Sequence, residues 1–181
     1  MVGTPGWRLV PVLPLVLGLT DGILNALTLA SAAILRDAGA ALGVSLALRV
    51  GTAALVTAGF TVFVADYAER RSVLVRSSRQ LNLTQPGRLA ATNLGRAVVR
   101  ESALATVVAS LASLVGASTP LLVGGLLPVP ALVTIAVTIG FLGALGWVIG
   151  SVLAARRTRW AVAMLLGGVV VTVVGTVLDI A

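Results

Sequence analysis

The stretch that decides the fold is "GFLGALGWVIGSVLAARRTRWAVAMLLGGVVVTVVG", residues 140–175. Two apolar runs lie on either side of the short basic segment "RRTR" at 156–159. A bilayer core about 30 Å thick requires about 20 mostly apolar residues per helix. With the apolar residues that flank them, the two runs predict membrane-spanning helices over residues 131–154 and 160–179, joined by an arginine-rich turn.

The same pattern occurs three more times toward the N-terminus, over about 9–35, 43–67 and 100–127. Of the 181 residues, 58% are hydrophobic and only 10% are charged, whereas a soluble domain carries about 25% charged residues. The sequence therefore predicts an all-α integral membrane protein. It forms a single transmembrane domain over residues 1–181 with five transmembrane helices.

Arginine placement predicts the orientation. All thirteen basic residues are arginine. With a cytoplasmic N-terminus, eleven of them lie inside, and only Arg36 and Arg49 lie outside, which is a strong positive-inside signal. The C-terminus is then outside, and residues 68–100 form a basic cytoplasmic connection. The arginine-only usage, with abundant Ala, Val, Gly and Leu, suggests a GC-rich bacterial genome. We therefore expect a multi-pass protein of the bacterial cytoplasmic (inner) membrane.

The basic connection contains two helical segments. "ERRSVLVRSSRQLNL", residues 69–83, is predicted to prolong helix 2 into water. Thr84 can cap a new helix with Pro86 in its first turn, and that helix runs into helix 3. The net charge of +7 is explained by topology, so we expect no nucleic-acid partner. A lipid-binding role of the arginines can coexist with any other function.

Small residues mark packing faces. Gly140, Gly143, Gly146 and Gly150 recur at spacings of three and four on helix 4. Such faces let helix backbones approach closely in lipid. The two alternatives are packing against another helix of the same chain, which we favour, and a dimer interface.

The chain has no cysteine and no histidine, which excludes thiolate and imidazole metal sites. It also offers no paired carboxylates or nucleophile–base set. We therefore expect no enzyme activity and no tightly bound cofactor. A metal ion would have to meet mainly oxygen ligands, which suit Mn²⁺ and Mg²⁺ and tolerate Fe²⁺.

Asp21 is the candidate functional residue, because it falls near the middle of helix 1. An ionised Asp there costs about 2.5–3.5 kcal/mol, and such residues are usually functional. Asn25 and Thr28 continue the same helical face, and Asp66 closes helix 2 near the inner interface. The functional interpretation is a cation or proton site made from Asp21, Asn25 and Asp66.

Two structural interpretations of Asp21 remain open. "TDG" could cap a broken helix, with the carboxylate bonded to freed amides, or Asp21 could pair with an arginine of another subunit. Glu69 and Glu101 lie among arginines at the inner surface, where solvated ion pairs are the favoured interpretation. A weak cytoplasmic metal-binding mouth is the alternative for these two glutamates.

The ordered motifs resemble the vacuolar iron transporter family. "GLTDG" supplies an Asp-Gly pair in the first helix, with Asp21 and Gly22. "FVADY" ends the second helix in Ala-Asp, with Asp66, and "GASTPLL" places Gly116 shortly before Pro120. The last two helices resemble the family most closely. The resemblance covers most of the chain except the 68–100 connection.

The resemblance implies five transmembrane helices with the termini placed as above, and export of Fe²⁺ or Mn²⁺ from the cytoplasm by proton exchange through a homodimer. It implies Asp21 as a metal or proton ligand. After Ala-Asp the family continues with Ser-Met and then Gly-Glu, where this chain has Glu69-Arg70 and Val73-Leu74. The glutamate-rich cytosolic bundle is also missing. The alternative function is therefore a transport-deficient paralogue that serves as a membrane scaffold or accessory subunit of other membrane proteins.

Overall fold

Five α-helices make up the part of the chain that the computed structural model describes, residues 12–35, 40–80, 93–126 and 130–177, which contains no strand. In chain order they are α1 Val12–Leu35, α2 Ala40–Gln80, α3 Asn93–Leu126, α4 Ala131–Val152 and α5 Arg157–Val177. All five are long and apolar enough to cross a membrane. This confirms the expected all-α class and identifies a multi-pass membrane protein by length and composition.

Helices α2 and α3 are longer than a bilayer requires. α2 has 41 residues and α3 has 34, which correspond to about 61 Å and about 51 Å of helix at 1.5 Å per residue. A hydrocarbon core of about 30 Å leaves several turns over, and residues 68–80 continue α2 without a break. The cap predicted at Thr84 with Pro86 lies outside the described residues, as do Arg36 and Asp179.

α1 is the central helix, because it packs against each of the other four. α3 packs against α1 and α2, and α4 packs against α5, whereas the described parts of α2 and α5 do not touch. One apolar cluster joins α1 to α4 and α5 and includes Ile23, Leu142 and Trp160. A second, mainly of alanine, joins α1 to α2 and α3 through Ala26 and Ala54.

The closest helix crossing is between α1 and α3. A Cβ added at Gly18 or Gly22 would lie well under 3.0 Å from the carbonyl oxygen of Ala109 or Ser113, respectively. A Cβ at Gly116 would lie 2.6 Å from the carbonyl oxygen of Leu19. Because these obstacles are backbone atoms, the crossing requires glycine, as in the small-xxx-small contacts of membrane helices. Gly18 and Gly22 are the two glycines of "GLTDG".

The glycines of α4 mostly pack within the chain. A Cβ at Gly143 or Gly146 would lie 2.8 Å from Leu165 or 2.6 Å from the carbonyl oxygen of Trp160, both on α5, and one at Gly150 would also meet α5. These three glycines therefore pack against another helix of the same chain and do not form a dimer interface. Gly140 is the exception, since it is exposed and a Cβ there would meet nothing within 4 Å.

The turn between α4 and α5 is a Schellman-type ending. The amide of Ala155 bonds to the carbonyl of Gly150 at 2.9 Å, and the amide of Ala154 bonds to that of Ser151 at 3.3 Å. This hydrogen-bond pair reverses the chain after a helix. Ala154 has φ 51°, the left-handed conformation that glycine adopts most easily. The turn presents the three arginines of "RRTR".

Candidate functional site

Asp21 is held at the place where α1, α2 and α3 meet. It is the tenth residue of the 24-residue α1, and Gly22 beside it brings α3 into backbone contact. The helix runs through Asp21 without interruption. The interpretation of "TDG" as the cap of a broken helix is therefore wrong, because all the amides of this region are engaged in a continuous helix.

Two donors converge on one oxygen of Asp21. The hydroxyl of Ser113 donates to Oδ2 at 3.0 Å, and the side-chain amide of Asn25 donates to the same oxygen at 3.3 Å. In the described part of the chain, Oδ1 of Asp21 receives no hydrogen bond, and it is not among the fully buried unpaired atoms. Asp21 therefore has one oxygen that is hydrogen-bonded to the helix bundle and one, Oδ1, that has no hydrogen bond to the described residues.

Ser113 has two acceptors within reach. Its side chain is fully buried, and its Oγ lies 3.0 Å from Asp21 Oδ2 and 3.3 Å from the carbonyl oxygen of Ala54 on α2. A hydroxyl has one hydrogen and can also accept. With an ionised Asp21, the hydrogen of Ser113 points to the carboxylate. With a protonated Asp21, Ser113 can accept from the acid and donate to Ala54 instead.

A partly uncovered stripe of α1 carries Asp21. Leu13 and Leu17 at its N-terminal end are 40% and 45% exposed. Asp21, Leu24 and Thr28 continue the stripe and are half-buried. The hydroxyl of Thr28 donates to the carbonyl of Leu24 at 2.7 Å, so it is already satisfied within its own helix. We call this stripe, from Leu13 to Thr28, the α1 groove.

Asp66 does not belong to the same site. Twelve residues separate it from Ala54, which corresponds to about 18 Å along α2, whereas Ala54 lies level with Ser113 and Asp21. Within one chain, Asp21 and Asn25 are thus brought together, and Asp66 is not. Among the described residues there is no group of three or more acidic, histidine or cysteine side chains that could hold a metal ion.

Arg70 occupies the position next to Asp66. Its Nε donates to Asp66 Oδ2 at 2.8 Å, and its Nη1 also donates to Glu101 Oε2 on α3. The Asp66 side chain is 25% exposed and that of Glu101 is 60% exposed. The ion pairing expected for Glu101 is therefore present, and it links α2 to α3. The guanidinium of Arg70 therefore occupies the space between these two carboxylates, where a shared metal ion would otherwise bind.

Glu69 differs from Glu101. It is exposed, and its backbone carbonyl accepts a hydrogen bond from Ser72. Its carboxylate makes no ion pair within residues 12–35, 40–80, 93–126 and 130–177. The structure does not join Glu69 and Glu101 into a shared mouth.

Sequence reasoning missed two residues that bind the predicted acidic residues. Ser113 gave no signal, because one serine in an apolar helix is common, and its role depends on which helix crosses α1. Arg70 gave a usable signal, since Asp66 and Arg70 are spaced i,i+4, the spacing of helical ion pairs. Comparisons with family models, with curated proteins and with solved structures found no match to this chain.

Proposed function

We propose that this protein is an ion transporter of the vacuolar iron transporter type, which exports Fe²⁺ or Mn²⁺ from the bacterial cytoplasm in exchange for protons. The observation that carries the proposal is the half-buried carboxylate of Asp21 in the middle of α1, with one oxygen hydrogen-bonded and the other without a hydrogen bond among the described residues. A carboxylate at that depth is costly in a membrane and is usually functional. Such a transporter would contribute to metal ion homeostasis.

The arrangement around Asp21 supports proton exchange. Ser113 can donate to the ionised carboxylate, or accept from the protonated acid while donating to Ala54. The site therefore retains its hydrogen bonds in both protonation states. A cation bound at Oδ1 and a proton on the same carboxyl group exclude each other, so one can be exchanged for the other. No histidine is needed for this cycle.

The ligand set supports a homodimer. One chain offers Oδ1 of Asp21 and the amide oxygen of Asn25, which are too few oxygens for Mn²⁺ or Fe²⁺ in an octahedral site. A second copy related by a two-fold axis along the α1 groove would double them, with water completing the shell. The exposed Leu13 and Leu17 then form part of the contact between the two chains.

Orientation follows from charge. We propose that the N-terminus and the α2–α3 connection lie in the cytoplasm and the C-terminus lies outside, because eleven of the thirteen arginines are then inside. Asp21 is reached from the cytoplasm along the N-terminal half of α1. The direction of net transport is set by the proton gradient.

Metal uptake into proteoliposomes tests the proposal. We expect Mn²⁺ uptake driven by an imposed pH gradient, detected with a fluorescent indicator inside the vesicles. Asp21→Asn keeps an acceptor for Ser113 but cannot ionise, so it should abolish uptake. Thr57→Val, on α2 and outside the α1 groove, should leave uptake unchanged because the Thr57 hydroxyl bonds within its own helix. Equal uptake by wild type and Asp21→Asn would rule out the role assigned to Asp21.

A second function is favoured by a specific observation. Arg70 forms ion pairs with Asp66 and Glu101, and Ser113 donates a hydrogen bond to Asp21 across the bundle. Each of these three carboxylates therefore contributes to holding helices together. The corresponding function is a transport-deficient membrane scaffold or accessory subunit. It predicts no metal uptake by the wild-type protein and a defined partner that co-purifies in mild detergent. It also predicts that Asp21→Asn retains that partner.

A further inference from the structure

The end of the protein where α2 is followed by α3, and α4 by α5, carries a group of exposed arginines. The helices alternate in direction, so both connections lie at the same end of the bundle. Five exposed guanidinium groups lie close to the ends of the spans there, and we call them the arginine face: Arg71, Arg100, Arg156, Arg157 and Arg159.

Ion pairing inside the protein does not account for the arginine face. In the described part of the chain, Arg70 is the arginine that forms ion pairs, with Asp66 and Glu101. Arg71 instead lies over the ring of Tyr67, with its Cζ 5.9 Å from the ring centroid. None of the five has a carboxylate within 4.0 Å among the described residues. Their charge is therefore available to a partner.

Helix stability does not account for the three arginines in the turn between α4 and α5 either. Arg157 is the first residue of α5, and Arg156 and Arg159 are next to it. Positive side chains at a helix N-terminus oppose the helix dipole and are unfavourable. The first turn of α5 contains no acidic residue to offset them. These arginines therefore serve a purpose other than α5 formation.

The depth of the arginine face matches the phosphate layer of a bilayer. Tyr and Trp side chains concentrate at the membrane interface, and we use Tyr67 and Trp160 as markers of that level. Arg71 lies one turn, about 6 Å, beyond Tyr67, and Arg157 lies about 4.5 Å before Trp160 along the helix. The polar layer of each leaflet is about 5–8 Å thick.

We propose that the arginine face binds the phosphates of anionic phospholipids in the leaflet that it contacts. Guanidinium groups attract phosphate oxygens through their charge and their hydrogen-bond donors, and all the basic residues of the chain are arginine. Arginines near a membrane surface add attraction to anionic lipid, roughly fivefold in affinity for each one. This inference does not rest on the transport function.

Native mass spectrometry of the full chain in neutral detergent tests the inference. The protein is titrated with phosphatidylglycerol and, separately, with phosphatidylcholine of the same acyl chains. We expect phosphatidylglycerol to bind with a dissociation constant at least ~10-fold lower, and we expect added salt to reduce the difference by screening. Equal binding of the two lipids by the wild type overturns the inference without any variant.

Substitutions of selected arginines test which of them bind phosphatidylglycerol. The triple change R156Q/R157Q/R159Q should weaken phosphatidylglycerol binding on the order of 100-fold. The matched triple variant R156K/R157K/R159K keeps the positive charge, so its affinity for phosphatidylglycerol should fall much less. Arg49→Gln removes one exposed arginine from the opposite end of α2 and should leave phosphatidylglycerol binding unchanged. An equal loss in both triples would indicate damage to the turn and would overturn the assignment.

Two other results would also overturn it. Displacement of phosphatidylglycerol by about 10 mM inorganic phosphate would indicate a pocket for free anions. Retardation of a short DNA duplex by the protein in phosphatidylcholine nanodiscs, together with no preference for phosphatidylglycerol, would indicate a nucleic-acid surface. Phosphatidylglycerol binding that is unaffected by both competitors supports the lipid assignment.

Discussion

Ser113 of α3 donates a hydrogen bond to Asp21 of α1 at 3.0 Å, across the crossing where Gly22 brings the two helix backbones into contact. The polar contact and the close approach depend on each other. Without glycine at position 22 the helices would separate, and the hydroxyl would no longer reach the carboxylate. The site and the fold are therefore determined by the same pair of helices.

Replacing Ser113 by Ala should weaken the α1–α3 contact. The change removes a buried donor to Asp21, and interhelical hydrogen bonds in membranes contribute about 0.6 kcal/mol on average and up to about 1.7. We expect the free energy of unfolding to fall by an amount near the upper end of this range, because the acceptor is a carboxylate. Reversible unfolding in mixed micelles, followed by circular dichroism, measures it. Ser110→Ala, one turn away and without a side-chain hydrogen bond in the described structure, is the control and should cost less.

Gly22→Ala should be strongly destabilising. The added methyl group would overlap the backbone of Ser113, which cannot move without separating α1 from α3, so we expect a loss of more than about 2 kcal/mol. Gly167→Ala is the matched control, because a Cβ there meets nothing within 4 Å. It should stabilise the helix by up to about 1 kcal/mol. The change in the free energy of unfolding should therefore have opposite signs for the two variants. An unchanged free energy of unfolding for Gly22→Ala would contradict the close crossing of α1 and α3.

Arg70→Gln should create an attraction for divalent cations between Asp66 of α2 and Glu101 of α3. Asp66 and Glu101 would keep their charges but lose the guanidinium that lies between them. We expect Mn²⁺ binding to increase several-fold, measured by electron paramagnetic resonance on the purified protein. Arg71→Gln removes the same charge from a residue that lies over Tyr67 and should have a smaller effect. Similar Mn²⁺ binding by both variants would mean that overall charge, not the Asp66–Glu101 pair, is responsible.

Ala154→Gly should stabilise the protein by about 0.5–1 kcal/mol. Ala154 has φ 51° in the turn after α4, a conformation that costs a residue with a Cβ but not glycine. A rise in the thermal unfolding temperature in detergent would show this. Ala155→Gly, at the neighbouring position, is the control and should give no gain. A lower unfolding temperature for Ala154→Gly would contradict the left-handed conformation.

Local properties of the sequence predicted the helices. Hydropathy and length are averages over about 20 residues, so the five spans and the continuation of α2 beyond residue 67 followed from composition alone. Asp21 was identified because a single charge in an apolar run is visible without knowing its neighbours. The i,i+4 spacing of Asp66 and Arg70 was equally local and would have indicated their ion pair.

The sequence by itself determined that this chain forms membrane-spanning helices and that Asp21 lies inside one of them, because burial in lipid depends on the apolar content of each segment. Only the tertiary structure decided that Gly18 and Gly22 face α3, that Ser113 reaches Asp21, and that Asp66 lies far from both. Lipid tails are as apolar as the helix surfaces, so hydrophobicity does not select which helices pair. That choice depends on the fit of backbones at glycines and on a few polar contacts between residues distant in sequence.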